Sequence, residues 1–212
     1  MNKNNVFNSF YFGIFRGLVI ASLLFIILVS MYFLFPKQIK EYVLQINNSE
    51  QEVSIVGKFE LLGKEGKKYN NENFIGKPYL VFFGFTSCPD ICPYGLSIIS
   101  DVLDYLEKDL NKFNAIFITL DPERDTYEKT SEFVENFHPN IIGLSGTKEK
   151  IEEAIVSWKV YRKKVELDNS DLDYTIDHST YIYLMDKRGK YFTHFSHTSD
   201  AQKIVSRIKE LL

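Results

Sequence analysis

Two short segments made almost entirely of apolar residues constrain the fold of this chain more than any other feature. Leu80–Phe85 has the sequence LVFFGF, and Ala115–Leu120 has the sequence AIFITL. Continuous apolar runs of this length are typical of central strands that are covered on both faces. The other segments that suit strands are Lys58–Leu62, Ile141–Leu144, Tyr181–Met185 and Lys190–Phe195.

Helical periodicity occupies the intervals between these strands. Apolar side chains recur at spacings of three and four residues, which marks one buried face on each helix. The four segments with this pattern are Leu96–Leu106, Phe133–Phe137, Ile151–Trp158 and Ile204–Leu211. Asp125 with Glu128, and Ser199 with Gln202, have capping-box spacing at the starts of the second and fourth helices.

Strands that alternate with helices, closed by a hairpin and a last helix, predict a three-layer α/β/α domain. One stretch does not follow this alternation. Tyr161–Asp177 is polar and rich in aspartate, and we predict that it is an excursion loop.

An uncharged segment, Leu18–Phe35, precedes this domain. At about 1.5 Å per residue it would span roughly 27 Å, which is close to the hydrocarbon thickness of a bilayer. We therefore predict an N-terminal tail at 1–13, a transmembrane anchor at 14–36, a polar tether at 37–52 and one domain at 53–212. The alternatives are a cleaved signal peptide and a buried core helix, although no small-x-small cleavage motif follows the segment. Basic residues are balanced on its two sides, which leaves the orientation open.

The composition excludes one class of partner and directs attention to the cysteines. The formal net charge of -3 gives no general reason to expect a nucleic acid partner. The chain has only 2 cysteines, Cys88 and Cys92. A pair so close in sequence cannot link distant segments as a structural disulfide does. Such a local pair indicates redox chemistry or metal binding.

The two cysteines lie where a buried strand should be followed by a helix. Pro89 favours an extended conformation at Cys88, Asp90 suits the helix N-cap, and Pro93 suits the first turn. Cys92 then lies at a helix N-terminus, where free N–H groups and the positive end of the dipole favour a thiolate. Two soft thiolates suit Cu(I), whereas structural zinc normally takes four ligands. The alternatives are a pair of packed cysteines and an adventitious disulfide.

A third ligand is sought among 4 histidines. His178 lies shortly before the predicted strand Tyr181–Met185, and in a thioredoxin-type sheet the loop before that strand faces the start of the cysteine helix. Thioredoxin-like oxidoreductases have a cis-proline there, but this chain has no proline after Pro139. We therefore predict that His178 is a metal ligand. The alternative is an exposed histidine or a hydrogen-bonded core histidine.

The other histidines are predicted to be incidental. His194 and His197 have H-x-x-H spacing, but at a strand end this spacing places the two rings on opposite faces and makes a poor chelate. His138 precedes Pro139 at the end of a helix, where it suits an exposed residue or a cation beside the helix C-terminus.

Five segments occur in a recognisable order along Val53–Leu212. They are IVGKFELLGKEGK, GKPYLVFFGFTSCPDICP, LDPERDT, GLSGT and DHSTYIYLMDKRG. Together they resemble the Sco/SenC family of copper chaperones for cytochrome c oxidase assembly. The combination of C-P-x-x-C-P with D-P-E-R-D-T and a later D-H is highly specific for that family.

The resemblance implies a thioredoxin-like fold and copper, as Cu(I) or Cu(II), with Cys88, Cys92 and His178 as its ligands. It implies that the same two cysteines can form a redox-active disulfide. It also indicates that Asp121 is an acidic residue near the site, although from the sequence alone Asp121 also suits an ordinary cap or turn.

The resemblance further implies an N-terminal anchor with the domain outside the cytoplasm. No Arg-rich, acid-poor transit peptide precedes the predicted anchor. We therefore favour the bacterial inner membrane, with the domain in the periplasm. The alternative is the mitochondrial inner membrane, with the domain facing the intermembrane space.

The function implied by the resemblance is that of a metallochaperone rather than an enzyme. It would deliver copper to the binuclear copper centre of cytochrome c oxidase subunit II, and other copper carriers or thiol–disulfide proteins would be further partners. The alternative is a thiol–disulfide reductase that keeps the cysteines of that copper centre reduced, but the missing cis-proline argues against a general reductase. A peroxiredoxin-like peroxidase is disfavoured because Cys88 lacks the P-x-x-x-T-x-x-C spacing. A redox or copper sensor would use the same site with a different partner.

Overall fold

The computed structural model describes residues 16, 18–27, 29–30, 55, 57–167 and 173–212. The chain divides into two units, Met1–Val53 and Ser54–Leu212. The described residues of the first unit are helical and exposed. Within the described part of the chain, no helix has both the length and the apolar character needed to cross a bilayer. The predicted anchor at 14–36 and tether at 37–52 lie partly or wholly outside the described residues, so both stay predictions.

The second unit contains strands and helices in alternation. The strands are β1 (Glu60–Leu62), β2 (Lys68–Asn70), β3 (Tyr79–Gly84), β4 (Asn114–Thr119), β5 (Ile141–Leu144), β6 (Arg162–Glu166), β7 (Tyr174–His178), β8 (Tyr181–Met185) and β9 (Tyr191–Ser196). The α-helices are α1 (Ile91–Tyr105), α2 (Tyr127–Glu135), α3 (Lys148–Trp158) and α4 (Ala201–Lys209). Short 3-10 turns occur at Lys64–Gly66, Asn71–Phe74 and Glu107–Lys112.

A five-stranded sheet in the order β5-β4-β3-β8-β9 forms the middle of this unit. β4 pairs in parallel with both β3 and β5, whereas β8 is antiparallel to both β3 and β9. β3 and β4 are the two apolar runs of the sequence, and every side chain of β3 is buried. The prediction of two central strands is therefore confirmed.

Helices cover both faces of the sheet, so successive residues of β3 enter different cores. Val81 and Phe83 pack in one core with Trp158 of α3. Leu80 and Phe82 pack in the other core, which contains residues of α1, α2 and α4. Because alternate residues of a strand point to opposite faces, a strand covered on both sides has to be apolar throughout. The arrangement is the predicted three-layer α/β/α domain.

Two helices do not begin at the predicted capping boxes. α2 is capped by Thr126 and α4 by Asp200, each one residue after the predicted caps Asp125 and Ser199. Asp125 is not available as a cap because it is buried and bonded to the loop before Cys88. The carboxylate of Asp200 accepts two backbone N–H groups of the first turn of α4, which satisfies two of the free donors at that end.

The prediction that Tyr161–Asp177 is an excursion loop is wrong for most of that segment, because β6 and β7 form an antiparallel hairpin there. Residues 168–172, at the tip between these two strands, lie outside the described part of the chain. The hairpin has little signature in the sequence because β6 is exposed except at the half-buried Arg162, while β7 buries only Tyr174 and Ile176. The correction bears on the site, because His178 is the last residue of β7 and is paired with Arg162.

Candidate metal centre

Cys88 and Cys92 lie in the loop and first helical turn that follow β3. The chain turns directly after the strand, where Cys88 N–H donates to the Phe85 carbonyl at 3.2 Å. Cys88 is partly exposed, Cys92 is buried, and both are free thiols, so the redox-active disulfide stays a prediction. Asp90 occupies the N-cap position of α1 but its side chain makes no capping bond. Instead, Cys92 N–H donates to Cys88 Sγ at 3.4 Å, so the sulfur caps one of the free N–H groups of the helix.

The buried position of Cys92 depends on a glycine at the end of β3. A Cβ atom at Gly84 would lie 2.7 Å from Cys92 Sγ and 2.8 Å from the Phe117 ring. Both distances are shorter than the van der Waals contacts that side chains make in a packed core. The missing side chain at Gly84 therefore lets the sulfur lie against the strand.

His178 approaches Cys92 from the end of β7. Its Nε2 lies 3.6 Å from Cys92 Sγ, and its Nδ1 lies 2.8 Å from the Ser179 carbonyl oxygen. Because a backbone carbonyl only accepts hydrogen bonds, Nδ1 carries a proton, and Nε2 is the ring nitrogen that faces the sulfur. Metal-ligating histidines are commonly held in this way, with the second ring nitrogen bonded to a carbonyl or carboxylate.

Two thiol groups and an imidazole therefore lie in one neighbourhood. In zinc sites the metal–sulfur and metal–nitrogen distances are about 2.3 and 2.0 Å. With those distances, the 3.6 Å between Cys92 Sγ and His178 Nε2 corresponds to an angle of about 115° at a shared ion. Among the described residues, no three Cys, His, Asp or Glu side chains are already arranged to hold a metal ion.

The two cysteines differ in protonation. A hydrogen bond from the Cys92 side chain lowers the pKa of Cys88 to about 4, with further contributions from His178 and from backbone N–H groups, while burial opposes the shift. The pKa of Cys92 is raised, because its thiol is hydrogen-bonded to Cys88 and because it is buried. The expectation of a thiolate at Cys92 is therefore wrong, and the thiolate is at Cys88. At neutral pH the pair therefore consists of a partly exposed thiolate and a buried thiol. A metal ion that binds both sulfurs has to displace the proton of Cys92.

Asp121 lies behind these groups. Its buried carboxylate accepts hydrogen bonds from Arg124 Nε at 2.5 Å and from the Tyr174 hydroxyl at 2.8 Å. The Arg124 guanidinium lies 3.7 Å from the centroid of the Tyr174 ring and 5.9 Å from that of Phe85. Phe85 in turn contacts the His178 ring edge-on, with 5.8 Å between centroids. Asp121 is thus connected to His178 through Arg124 and Phe85, a role for Arg124 that the sequence did not reveal.

Asp125 holds the loop that leads to Cys88, and its sequence context had indicated only a cap. Its carboxylate accepts hydrogen bonds from Thr86 N–H at 2.8 Å, from the Thr86 hydroxyl at 2.5 Å and from the Thr119 hydroxyl at 2.7 Å. Lys129 Nζ lies 3.3 Å away. A buried carboxylate is costly unless it is bonded in this way. Its place in LDPERDT is the one sequence signal that could have suggested a site role.

The remaining histidines make separate contacts. His138 Nδ1 accepts a hydrogen bond from Asn140 N–H at 3.0 Å. His194 is exposed and bonds a tyrosine hydroxyl on its own strand at 2.6 Å. His197 is partly buried and bonds the Thr180 hydroxyl at 2.9 Å. The two rings of the H-x-x-H pair therefore have different partners.

Comparisons with known proteins agree on one family. Residues 47–212 match the family model described as SCO1/SenC. An SCO2-like protein of Rickettsia prowazekii is 40% identical over 165 residues, which cover 78% of this chain and 80% of the relative.

Solved structures show the same relationship. The structure of Bradyrhizobium japonicum ScoI with copper bound is 42% identical to this chain, with a TM-score of 0.68, and the match covers 74% of this chain and 98% of that one. BsSco, described as a member of the Sco family of cytochrome c oxidase assembly proteins, is 22% identical with a TM-score of 0.58 over 74% of this chain and 92% of its own. At that identity the second likeness shows the fold alone. The predicted thioredoxin-like fold of the second unit is therefore confirmed as the fold of Sco structures.

The pKa difference between the cysteines predicts a difference in alkylation. Cys88 should react with iodoacetamide at a rate that changes little between about pH 5 and about pH 8, because the thiolate is the nucleophile and Cys88 is already ionised above a pKa of about 4. Cys92 should react far more slowly. Mass spectrometry of the labelled peptides measures both rates, with the denatured chain as the control. A Cys88 rate that rises about tenfold per pH unit up to about pH 8, as for an ordinary thiol, would contradict the assignment.

Proposed function

Because the chain belongs to the SCO1/SenC family, we propose that it binds copper as cargo through Cys88, Cys92 and His178 and hands it on during cytochrome c oxidase assembly. The observation that carries this proposal is the 3.6 Å approach of His178 Nε2 to Cys92 Sγ. The ring nitrogen faces the Cys92 sulfur, and the thiolate of Cys88 is hydrogen-bonded to the same cysteine.

The chemistry of the donors supports copper over other metals. Thiolates are soft ligands that suit Cu(I), and Cu(II) prefers a site that also contains nitrogen. A structural zinc site would normally use four protein ligands. The related ScoI of Bradyrhizobium japonicum has been solved with copper bound. Two sulfurs and one imidazole therefore suit copper in either oxidation state.

The unequal burial of the three proposed ligands suits transfer of copper to a partner protein. Cys92 is buried and His178 is fixed by a backbone carbonyl, so both hold the ion from the inside. Cys88 is partly exposed, so a ligand of a partner protein can reach the copper from that side. We propose that the recipient is the binuclear copper centre of cytochrome c oxidase subunit II, with other copper carriers or thiol–disulfide proteins as further partners. In this proposal Asp121 supports His178 through Arg124 and Phe85.

A thiol–disulfide reductase is the second candidate, and the protonation of the cysteines favours it. A partly exposed thiolate at Cys88 suits attack on a disulfide, and the neighbouring Cys92 suits resolution of the mixed disulfide. Such a reductase would keep the cysteines of the recipient copper centre reduced. It does not need His178 to bind a metal, so copper binding by His178 variants separates the two functions.

Copper titration of single variants tests the proposal. Cys88→Ser and Cys92→Ser should each abolish stable binding of Cu(I) and Cu(II). His178→Ala should weaken Cu(II) binding by more than the roughly 10- to 100-fold that loss of an outer partner of a ligand costs, and Cu(I) binding less, because Cu(II) depends more on the nitrogen ligand. The measurements are the thiolate–copper charge-transfer absorption for Cu(II) and competition with a chelator for Cu(I).

His194→Ala is the matched control, because His194 is exposed and its contacts are with the tyrosines Tyr181, Tyr183 and Tyr191 rather than with the proposed ligands, and it should leave both affinities unchanged. An unchanged absorption band in His178→Ala would remove His178 from the site and favour the reductase. Incubation of the copper-loaded protein with the apo copper domain of subunit II completes the test. Copper should move to that domain, and disulfide reduction there without copper transfer would instead identify a reductase.

We propose that residues 14–36 anchor the chain in a bacterial inner membrane, with the second unit in the periplasm. The uncharged segment Leu18–Phe35 supports this proposal. The alternative location is the mitochondrial inner membrane, with the unit facing the intermembrane space.

A reporter enzyme that is active only outside the cytoplasm, fused after Leu212, tests the topology. It should be active and sediment with membranes, because a retained anchor exports and tethers the domain. The same fusion without residues 1–36 is the control and should lose both properties. Activity seen only with a cytoplasmic reporter would overturn the proposed orientation.

A further inference from the structure

We propose that His197 is a positioning residue for His178, an inference that rests on the proposed copper function. His197 immediately follows β9 and forms no part of the Cys88, Cys92 and His178 set. It lies between the loop that carries His178 and the helix that carries Cys92. We infer that it fixes the loop so that His178 Nε2 stays directed at Cys92 Sγ.

The first step concerns the ring of His178. The ring is oriented by the hydrogen bond between its Nδ1 and the carbonyl oxygen of Ser179. That carbonyl shares one rigid peptide plane with the backbone nitrogen of Thr180. Any group that fixes Thr180 therefore also fixes the acceptor that orients His178.

The second step concerns Thr180, which His197 holds at two points. The backbone N–H of His197 donates to the Thr180 carbonyl at 3.2 Å. The ring Nδ1 of His197 is hydrogen-bonded to the Thr180 hydroxyl at 2.9 Å. The first bond extends the β8–β9 pairing and is independent of the side chain, whereas the second requires both the ring nitrogen and the hydroxyl.

The third step concerns the cysteine helix. The His197 ring contacts the Tyr94 ring edge-on, with 6.3 Å between centroids and 83° between planes. Tyr94 lies in the first turn of α1, two residues after Cys92. His197 thus contacts Thr180 in the loop after His178 and Tyr94 in the helix that carries Cys92.

The other side of the loop is held by the backbone. Ser179 N–H donates to the Tyr161 carbonyl at 3.0 Å, and Tyr161 N–H donates to the Ser179 hydroxyl at 3.0 Å. In the loop between β7 and β8, Ser179 is therefore held by Tyr161, and the next residue, Thr180, is held by His197. The contact through His197 joins the loop to the cysteine helix, and a side-chain substitution can remove it.

Outer partners of metal-ligating histidines typically contribute about 10- to 100-fold to metal affinity. His197 acts through Thr180 and Ser179, so we expect the lower end of this range, about tenfold. Cu(II) should be affected more than Cu(I), because the misdirected group is the nitrogen ligand and the two sulfurs are untouched.

The test uses pairs of variants that differ in one bond. His197→Phe keeps a ring against Tyr94 but removes the nitrogen, whereas His197→Asn supplies an amide group near the position of Nδ1. Thr180→Val removes the hydroxyl, and Thr180→Ser keeps it. His197→Phe and Thr180→Val should each weaken Cu(II) binding about tenfold, with less effect on Cu(I). His197→Asn and Thr180→Ser should stay close to the wild type.

Two further comparisons exclude a general effect on the fold. The double variant His197→Phe, Thr180→Val should bind Cu(II) no more weakly than either single variant, because both act through one hydrogen bond. His194→Phe, which changes the other histidine of the H-x-x-H pair, should leave Cu(II) affinity unchanged. Thermal unfolding of each copper-free variant shows whether any loss of affinity follows from loss of structure.

The outcomes separate this inference from the proposed function. If the wild type binds no copper, or His178→Ala binds Cu(II) as the wild type does, the proposed function fails and this inference fails with it. If His178→Ala weakens Cu(II) binding but His197→Phe and Thr180→Val do not, only the positioning role of His197 is overturned. Equal losses of Cu(I) and Cu(II) affinity in His197→Phe would also overturn it, because a misdirected nitrogen ligand predicts unequal losses.

Discussion

Cys92 Sγ and His178 Nε2 lie 3.6 Å apart although the two residues are separated by 86 positions in the sequence, and the topology of the sheet is what brings them together. β3 and β8 pair antiparallel, with Phe82 opposite Ile182, so the end of β3 lies beside the start of β8. The cysteine segment follows β3 and the histidine loop precedes β8. Both segments therefore leave the sheet at the same edge, whereas a parallel pairing would have placed them at opposite edges.

The sheet brings the donors together, and a layer of buried polar groups holds the loops that carry them. The Asp125 carboxylate accepts hydrogen bonds from the backbone N–H and the hydroxyl of Thr86, which fixes the chain two residues before Cys88. Asp121 fixes Arg124, whose guanidinium lies beside the Phe85 ring that packs on His178. Buried carboxylates close to a thiolate oppose further ionisation of the buried thiol. The two sulfurs therefore carry one negative charge between them, and a bound cation would relieve this opposition.

Periodicity and composition predicted the central strands, the helical faces and the three layers, because strands and helices buried by their neighbours need apolar residues at fixed spacings. The same reasoning missed the β6–β7 hairpin, where an exposed strand is held by backbone pairing and two buried side chains of its partner. The candidate ligands were named from the sequence because cysteine and histidine are chemically distinctive. Asp125 and His197 were not assigned their structural roles, because their partners Thr86 and Thr180 lie 39 and 17 residues away and no local pattern points to them.

X-ray absorption at the copper edge of the copper-loaded protein tests most directly whether Cys88, Cys92 and His178 bind one ion. Two sulfur neighbours and one imidazole nitrogen are expected around Cu(II), with the sulfurs at about the distance of a metal–thiolate bond, roughly 2.3 Å. In His178→Ala the imidazole scattering should disappear and both sulfurs should stay. A copper ion surrounded by nitrogen and oxygen alone, or by a single sulfur, would contradict the three-ligand centre.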